Sequence, residues 1–243
     1  MVFLRNEKLI FLKPRKVAGT SFLIALASFA GNRDIITEIS ELDLLSKYAS
    51  RAPQNNNMPI REVLRYARLQ TLKQLRRGEW PRRFIGHATA SEVRSRLGPS
   101  VFDDSLKVSI VRNPYTQLVS LYNWERRLAR EGRGHQFDSF GNWLMRHPHK
   151  INWNYDQYYI DQDDVIDFYL RFEHLKEDAA ALEKLRPNLA GLSDRLSRVH
   201  AKPGSASARP IHEYFTDSRL ISSVAFFNSH VFERFGYDMP EYV

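Results

Sequence analysis

The segment LIFLKPRKVAGTSFLIAL, residues 9–26, places two apolar runs on either side of a basic turn. Residues 8–12 have the length of a buried strand, and residues 20–30 have the length of a helix, with Gly31 as its C-terminal cap. A buried strand that leads directly into a helix is typical of α/β proteins with a parallel sheet. This segment therefore constrains the fold class more strongly than any other.

The rest of the chain continues this alternation. Three further apolar runs predict strands, at residues 82–87, 105–112 and 165–171. Helical periodicity is found in four further segments, at residues 60–76, 113–131, 173–185 and 217–235. We expect one α/β domain over residues 1–243, with a central parallel sheet flanked by helices and ligands at the carboxyl ends of the strands.

The composition limits the kinds of site and compartment that are expected. The 243 residues include no cysteine, which excludes disulfide bonds and thiolate metal sites, and we expect no metal centre. The longest apolar stretch, Phe22 to Ala30, has about half the length of a bilayer crossing, and no charged leader with a cleavage site precedes it. We therefore expect a cytoplasmic protein without an integral membrane segment.

The net charge of +8, from 36 Lys and Arg against 28 Asp and Glu, indicates acidic ligands. Eight basic and two acidic residues lie between Arg61 and Arg83. This basic segment is interpreted equally well as a solvated helix face or as a surface for an anionic polymer. The second interpretation keeps a nucleic-acid-binding module open, which would show steep salt dependence of polynucleotide binding.

The turn after the first strand has the chemistry of an anion site. The residues that it brings to the start of the helix are Lys13, Arg15, Lys16, Gly19, Thr20 and Ser21. Backbone N–H groups at a helix N-terminus bind phosphate or sulfate, and a lysine adds a mobile charge. The lysine precedes the glycine by three residues, which is not the order of a Walker A loop. The alternative is that Thr20 or Ser21 caps the helix and the basic side chains are solvated.

A second strand-to-helix turn repeats this pattern. In VSIVRNPYTQLVSLYNW, the strand ends at Arg112, Pro114 begins the helix, and Ser120 lies two turns further on. The pair FLKPRKVAGTS and VRNPYTQLVSLYNW resembles the 5′-phosphosulfate and 3′-phosphate motifs of sulfotransferases that use 3′-phosphoadenosine 5′-phosphosulfate (PAPS). The resemblance is to carbohydrate sulfotransferases, which include heparan sulfate 2-O-sulfotransferase and bacterial relatives, and it extends through RFIGHATASEV, YLRFEHLKED and FERFGYDMP.

The resemblance implies a P-loop-like nucleotide-binding fold. It also implies transfer of a sulfuryl group from PAPS to a hydroxyl of a saccharide or glycolipid, with no metal and no nucleic-acid partner. In this family Lys16 and the three residues from Gly19 would hold the 5′-phosphosulfate, and Arg112 and Ser120 the 3′-phosphate. Relatives have proline directly before the key lysine, whereas Arg15 intervenes here, so Lys13 and Arg15 are candidates to share its role.

Other candidate ligands rest on the resemblance alone. The loop before the last helix folds over the nucleotide in relatives, and the matching residues are Lys202, Gly204, Ser205 and Arg209. A flexible surface connection is the alternative for this loop. Relatives shape the acceptor cleft with a stretch that matches INWNYDQYYI, and the expected acceptor contacts are Trp153, Asn154, Tyr155 and Gln157; the alternative is that these residues belong to the core.

Sulfuryl transfer requires cations at the leaving oxygen and a base for the acceptor hydroxyl. Lys16 suits the first role, and His87, at the end of the predicted strand 82–87, suits the second, as a matching histidine does in relatives. The alternative for His87 is a hydrogen-bonded structural histidine. A small-molecule kinase is the competing enzyme class, but it would need a glycine-rich lysine loop and Mg²⁺-binding carboxylates. The acceptor and the oligomeric state stay open.

Overall fold

The computed structural model describes residues 1–65, 75–199 and 209–238. A central sheet has five strands in the order β3-β1-β2-β4-β7. The strands are β1 Val2–Leu4, β2 Leu9–Phe11, β3 Ile35–Ile36, β4 Leu106–Val111 and β7 Phe168–Arg171, and a separate hairpin is formed by β5 Tyr159–Ile160 and β6 Asp163–Asp164. The protein is therefore an α/β protein with helices on both faces of the sheet.

The sheet is mixed rather than parallel. Strands β2, β4 and β7 run parallel, as predicted, whereas β1 is antiparallel to both β2 and β3. Residues 5–8 form a tight turn in which the Lys8 N–H donates to the Arg5 carbonyl at 3.1 Å, so β1 and β2 form a hairpin. The expectation of a wholly parallel sheet is wrong because β1 and β3 are too short to show a strand pattern.

Each of the five predicted helical segments contains helix with shifted ends, and the described residues also form helices that were not predicted. The named helices are α1 Gly19–Ala27, α2 Leu42–Ala49, α3 Ile60–Arg65, α4 Ala90–Leu97, α5 Pro99–Asp103, α6 Pro114–Arg130, α7 Phe140–Arg146, α8 Tyr155–Tyr158, α9 Leu175–Leu185, α10 Leu192–Arg198, α11 Ser218–Phe227 and α12 Ser229–Phe235. Helix α1 ends at Ala27, and Gly31 does not cap it, because the Gly31 N–H donates to Asp34 instead. Residues 66–74 of the helix predicted at 60–76 lie outside the described residues.

The long helix predicted at residues 217–235 is two helices that meet at Asn228. The Asn228 side chain is buried, and its Nδ2 donates to the carbonyls of Ile151 and Val224, at 3.1 and 2.9 Å. Asparagine side chains compete with the backbone for hydrogen bonds, which is a recognised cause of helix interruption. The break therefore ties α11 to the segment that carries Trp153.

The strand predicted at residues 82–87 is wrong. Only Arg82 forms an isolated bridge, with Asn57, and the chain then turns through Gly86 and His87. Strand β2 is already paired with β1 and β4, so the sheet has no free edge beside it. The apolar residue Phe84 instead packs onto one face of the sheet.

Alternation along β2 covers both faces of the sheet. Leu9 and Phe11 pack with α1, where Phe11 meets Phe22 edge to face at 4.7 Å. Ile10 and Leu12 point to the other face. Burial on both faces explains why β2 reads as a continuous apolar run, and it holds the turn at the end of β2 on a rigid base.

Candidate active site

A cavity of about 790 Å³ lies where β2 and β4 end and the following helices begin. The predicted site residues that line it are Lys13, Arg15, Lys16, Gly19, Thr20, Ser21, His87, Arg112, Ser120 and Trp153. Residues from two motifs about a hundred positions apart therefore share one space. This position agrees with the expectation that ligands lie at the carboxyl ends of parallel strands.

The turn before α1 has an unusual backbone. Lys16 and Ala18 have φ angles of 63° and 59°, in the left-handed region that residues with side chains seldom occupy. Alternation of right- and left-handed residues directs successive N–H groups into one concave surface, which is a common anion-binding geometry. Ala18 is the N-cap and has no side chain that could cap α1, whereas Thr20 and Ser21 lie inside the first turn, so neither of them is the N-cap. The helix start therefore keeps its first N–H groups beside the cavity.

Gly19 is required by close packing rather than by its φ angle. A Cβ at this position would lie 3.0 Å from Lys13 Cγ and 3.2 Å from the Pro14 carbonyl oxygen. Both are closer than ordinary van der Waals contact, and the second neighbour is backbone, which cannot move alone. The glycine thus lets the Lys13 side chain lie across the start of α1.

Arg112 joins the two turns directly. Its Nη1 donates to the Lys16 carbonyl at 3.1 Å, its Nε donates to Thr116 Oγ1 at 2.9 Å, and its guanidinium carbon lies 4.1 Å from the ring centre of Phe172. Burial lowers the pKa of Arg112 to about 10, which leaves it charged at neutral pH. Within the described residues no carboxylate forms an ion pair with Arg112, so a largely buried cation is available for an anion.

His87 lies in the turn that follows Phe84, and it lines the cavity although the predicted strand is absent. Its Nδ1 is 2.9 Å from the carbonyl oxygen of Lys13. A carbonyl oxygen only accepts, so Nδ1 carries the proton and Nε2 carries the lone pair. Burial, then the charge of Lys13, lowers the pKa of His87 to about 3. His87 is therefore neutral at physiological pH and able to accept a proton on Nε2.

Two tryptophans of the cavity carry cations on their faces. The Arg15 guanidinium lies 4.4 Å from the ring of Trp153, and Lys16 Nζ lies 5.6 Å from the ring of Trp124. Both distances are within the range of cation–π contacts, and these contacts hold the two basic side chains near the cavity wall. Trp124 was missed from the sequence, although it lies four residues after Ser120 and so on the same face of α6.

The remaining three expected acceptor contacts do not line the cavity. Asn154 and Gln157 are buried, and Gln157 Nε2 lies 3.4 Å from the His87 carbonyl. Tyr155 stacks on Tyr159 with ring centres 4.5 Å apart. For Asn154, Tyr155 and Gln157 the core interpretation fits better, because each side chain is engaged with the protein itself.

Four candidate ligands are predicted in the loop before the last helices. Lys202, Gly204 and Ser205 lie outside the described residues. Arg209 is described and exposed, and it does not line the cavity.

Sequence reasoning missed several other residues that line the cavity. These are Glu38, Ile39, Ser40 and Glu41 after β3, Phe172 and Lys176 near α9, and Ser197 and Val199 near the end of α10. Glu38 forms an ion pair with Arg82, and Arg83 pairs with Glu62 at 3.2 Å. These two arginines of the basic segment are therefore engaged with carboxylates.

The described residues hold neither a metal-ligand cluster nor a membrane-spanning helix. Over residues 1–65, 75–199 and 209–238, no three His, Cys, Asp or Glu side chains are grouped so that they could hold a metal ion. In the same part of the chain, every helix is too short or too polar to cross a bilayer.

Comparison with known proteins gives one relative of note. An uncharacterized protein from Archaeoglobus fulgidus is 31% identical to the chain over 100 residues, which make up 38% of this chain and 76% of the archaeal protein. No model of a known protein family matches the chain, and no solved structure matches it.

Proposed function

We propose that this chain, which belongs to the same family as the archaeal protein, is a sulfotransferase with a P-loop-like fold that moves a sulfuryl group from PAPS to an acceptor hydroxyl. One observation carries the proposal: the turns after β2 and β4 meet at one cavity, where Arg112 donates to the Lys16 carbonyl and His87 lines the same wall. A nucleotide that carries phosphate on both the 3′ and the 5′ oxygen of its ribose needs two anion sites in one cleft.

The residues present fit such a nucleotide. The concave turn at Lys16 and Ala18, with close packing at Gly19, suits the phosphosulfate group. Arg112 and the buried hydroxyl residue Ser120 suit the 3′-phosphate, because a largely buried guanidinium gains most from a bidentate anion. Lys13 and Arg15 also line the cavity and add positive charge around the same group.

The bound donor supplies an activated sulfuryl group, and the chain supplies positioning and charge. In the transfer, the acceptor oxygen forms a bond to sulfur while the bond from sulfur to the bridging phosphate oxygen breaks, and 3′-phosphoadenosine 5′-phosphate leaves. Lys16 stabilises the negative charge that grows on that phosphate, which stabilises the transition state more than the ground state. Trp124 holds the Lys16 side chain near the cavity wall before this step.

His87 accepts the proton of the acceptor hydroxyl on Nε2. The Lys13 carbonyl fixes the tautomer, because it takes the hydrogen bond from Nδ1. Positive charges around His87 lower its pKa, and the arrival of an anionic nucleotide beside Lys13 and Arg15 offsets that effect and makes the base stronger. Basicity at His87 is thus linked to occupancy of the donor site.

The test is calorimetric titration of the chain with 3′-phosphoadenosine 5′-phosphate in the presence of EDTA, in parallel with ATP plus Mg²⁺. We expect the bisphosphate to bind without metal and to bind more tightly than ATP. Preferential binding of ATP with Mg²⁺ would favour the kinase class instead. Binding of a polynucleotide but of neither nucleotide would favour the nucleic-acid module and direct attention to the basic segment.

A further inference from the structure

The backbone of Arg15 is held by a side chain from a distant part of the chain. Asn154 Oδ1 accepts from the Arg15 N–H at 2.8 Å, and Asn154 Nδ2 donates to the Arg15 carbonyl at 3.0 Å. One side-chain amide therefore satisfies both backbone polar groups of a single residue, as a neighbouring strand would do. Asn154 itself is 4% exposed, so water does not compete for these bonds.

We infer that Asn154 is a positioning residue that fixes the shape of the anion-binding turn before any ligand arrives. The two left-handed residues, Lys16 and Ala18, begin one position after the peptide that Asn154 holds. Their conformation costs free energy for residues with a Cβ, and it persists only when surrounding contacts enforce it. The expected effect of Asn154 on nucleotide binding rests on the proposed function, but its effect on the shape of the turn does not.

Two further side chains hold the same turn, one from helix α6 and one from the residue that follows strand β4. Gln117 Nε2 donates to the Arg15 carbonyl at 2.9 Å, and Arg112 Nη1 donates to the Lys16 carbonyl at 3.1 Å. The Arg15 carbonyl thus accepts two side-chain bonds, whereas its N–H has Asn154 as its acceptor. Loss of Asn154 leaves that N–H without its acceptor, while loss of Gln117 leaves the carbonyl with one donor. Asn154 therefore has the larger expected effect.

The same contact explains how Asn154 belongs to the site although its own side chain does not line the cavity. Asn154 immediately precedes α8 and follows Trp153, whose ring carries the Arg15 side chain. Backbone and side chain of Arg15 are thus both held by adjacent residues of one segment. The turn is therefore held by a segment for which the resemblance alone predicts contact with the acceptor.

The test compares Asn154→Ala with Asn152→Ala, whose side chain makes no hydrogen bond within the described part of the chain. In the ligand-free protein we expect the Arg15 amide of Asn154→Ala to exchange with solvent at least about tenfold faster than in wild type, while amides of β4 keep their protection. Affinity for 3′-phosphoadenosine 5′-phosphate should fall by about tenfold, and Asn152→Ala should match wild type in both measurements. Adding Ala18→Gly to Asn154→Ala should restore part of the affinity, because glycine enters the left-handed region without cost.

Equal exchange at the Arg15 amide and equal affinity in Asn154→Ala and wild type would overturn the positioning role. If Asn154→Ala does not fold, Asn154→Leu, which fills a similar volume without the amide, carries the test, with the same faster exchange and loss of affinity expected and wild-type values for both overturning the inference. If wild type does not bind the bisphosphate, the proposed function fails, and the exchange rate of the Arg15 amide, which needs no ligand, still decides the positioning role.

Discussion

The two strand-to-helix turns at the cavity look alike in sequence and differ in what holds their shape and in the groups that they present. The turn before α1 has no side-chain cap, and its shape is imposed by Asn154, Gln117 and Arg112 from outside. The turn before α6 is self-contained: Asn113 Oδ1 accepts from the Tyr115 N–H at 3.0 Å, and a proline occupies the first helical position. The first turn offers backbone N–H groups, whereas the second offers the guanidinium of Arg112.

A basic strand-to-helix motif therefore does not define one way of presenting donors to a ligand. A capped helix start has used one of its backbone donors, so a side chain has the larger part in holding a ligand. An uncapped start keeps those donors, but it needs other parts of the fold to hold an unfavourable backbone. Substitutions that change only one of the two turns test this difference.

His87→Gln tests the residue whose Nδ1 donates a hydrogen bond to the Lys13 carbonyl in the first turn. We expect sulfuryl transfer from PAPS to fall by about 10² to 10⁴-fold, because glutamine cannot accept the proton. Affinity for 3′-phosphoadenosine 5′-phosphate should stay near that of wild type, since the cations of both turns remain. Turnover near the wild-type rate would remove His87 from the role of base.

Gly19→Ala and Pro114→Ala are matched changes at the first position of α1 and α6. The new Cβ at residue 19 meets Lys13 Cγ at 3.0 Å and the Pro14 carbonyl, so we expect affinity for the bisphosphate to fall by about tenfold or more. At residue 114 the change removes only a preference for the first helical turn, and we expect little effect on affinity. Similar losses in both variants, measured by calorimetry, would contradict the contrast between the turns.

The pH dependence of stability tests the surroundings of His87. The folded pKa of about 3 lies below the ordinary value of 6.5, so the unfolded chain takes up a proton at this residue as pH falls and the folded chain does not. We expect this residue alone to reduce the free energy of unfolding by about 2 kcal/mol between pH 7 and pH 5. Denaturant unfolding of His87→Gln should show a shallower decline over that range. An identical decline in both proteins would show that His87 keeps an ordinary pKa.

Asn113→Ala tests the self-contained turn. Loss of the side-chain cap of α6 should lower the free energy of unfolding by about 1 kcal/mol. Affinity for the bisphosphate should change little, because Arg112 is held by Thr116 and Phe172 rather than by the cap. A loss of affinity that exceeds the loss of stability would show that the cap also shapes the anion site.

The sequence predicted the two turns well because their signals are local. The apolar runs of β2 and β4, Pro114 at the start of α6, and the basic residues between them are all visible without the fold. Ten of the predicted site residues consequently line one cavity. The roles assigned to those residues stay predictions.

What could not be predicted depends on contacts between distant residues. Strand β1 is recognisable only from its pairing, and residues 82–87 read as a strand although the sheet has no place for them beside β2. The left-handed conformations of Lys16 and Ala18 have no signal in the sequence, since neither residue is glycine. Asn154 likewise gave no indication that its partner is the backbone of Arg15, 139 positions earlier.

In the proposed function, the two turns hold the 5′- and the 3′-phosphate groups of one nucleotide. The most direct measurement is titration of wild type and Arg112→Ala with 3′-phosphoadenosine 5′-phosphate and with adenosine 5′-phosphate, which lacks the 3′-phosphate. Wild type should prefer the bisphosphate by at least about tenfold, and Arg112→Ala should bind both nucleotides with similar, weak affinity. A preference that persists in Arg112→Ala, or no preference in wild type, would contradict the account.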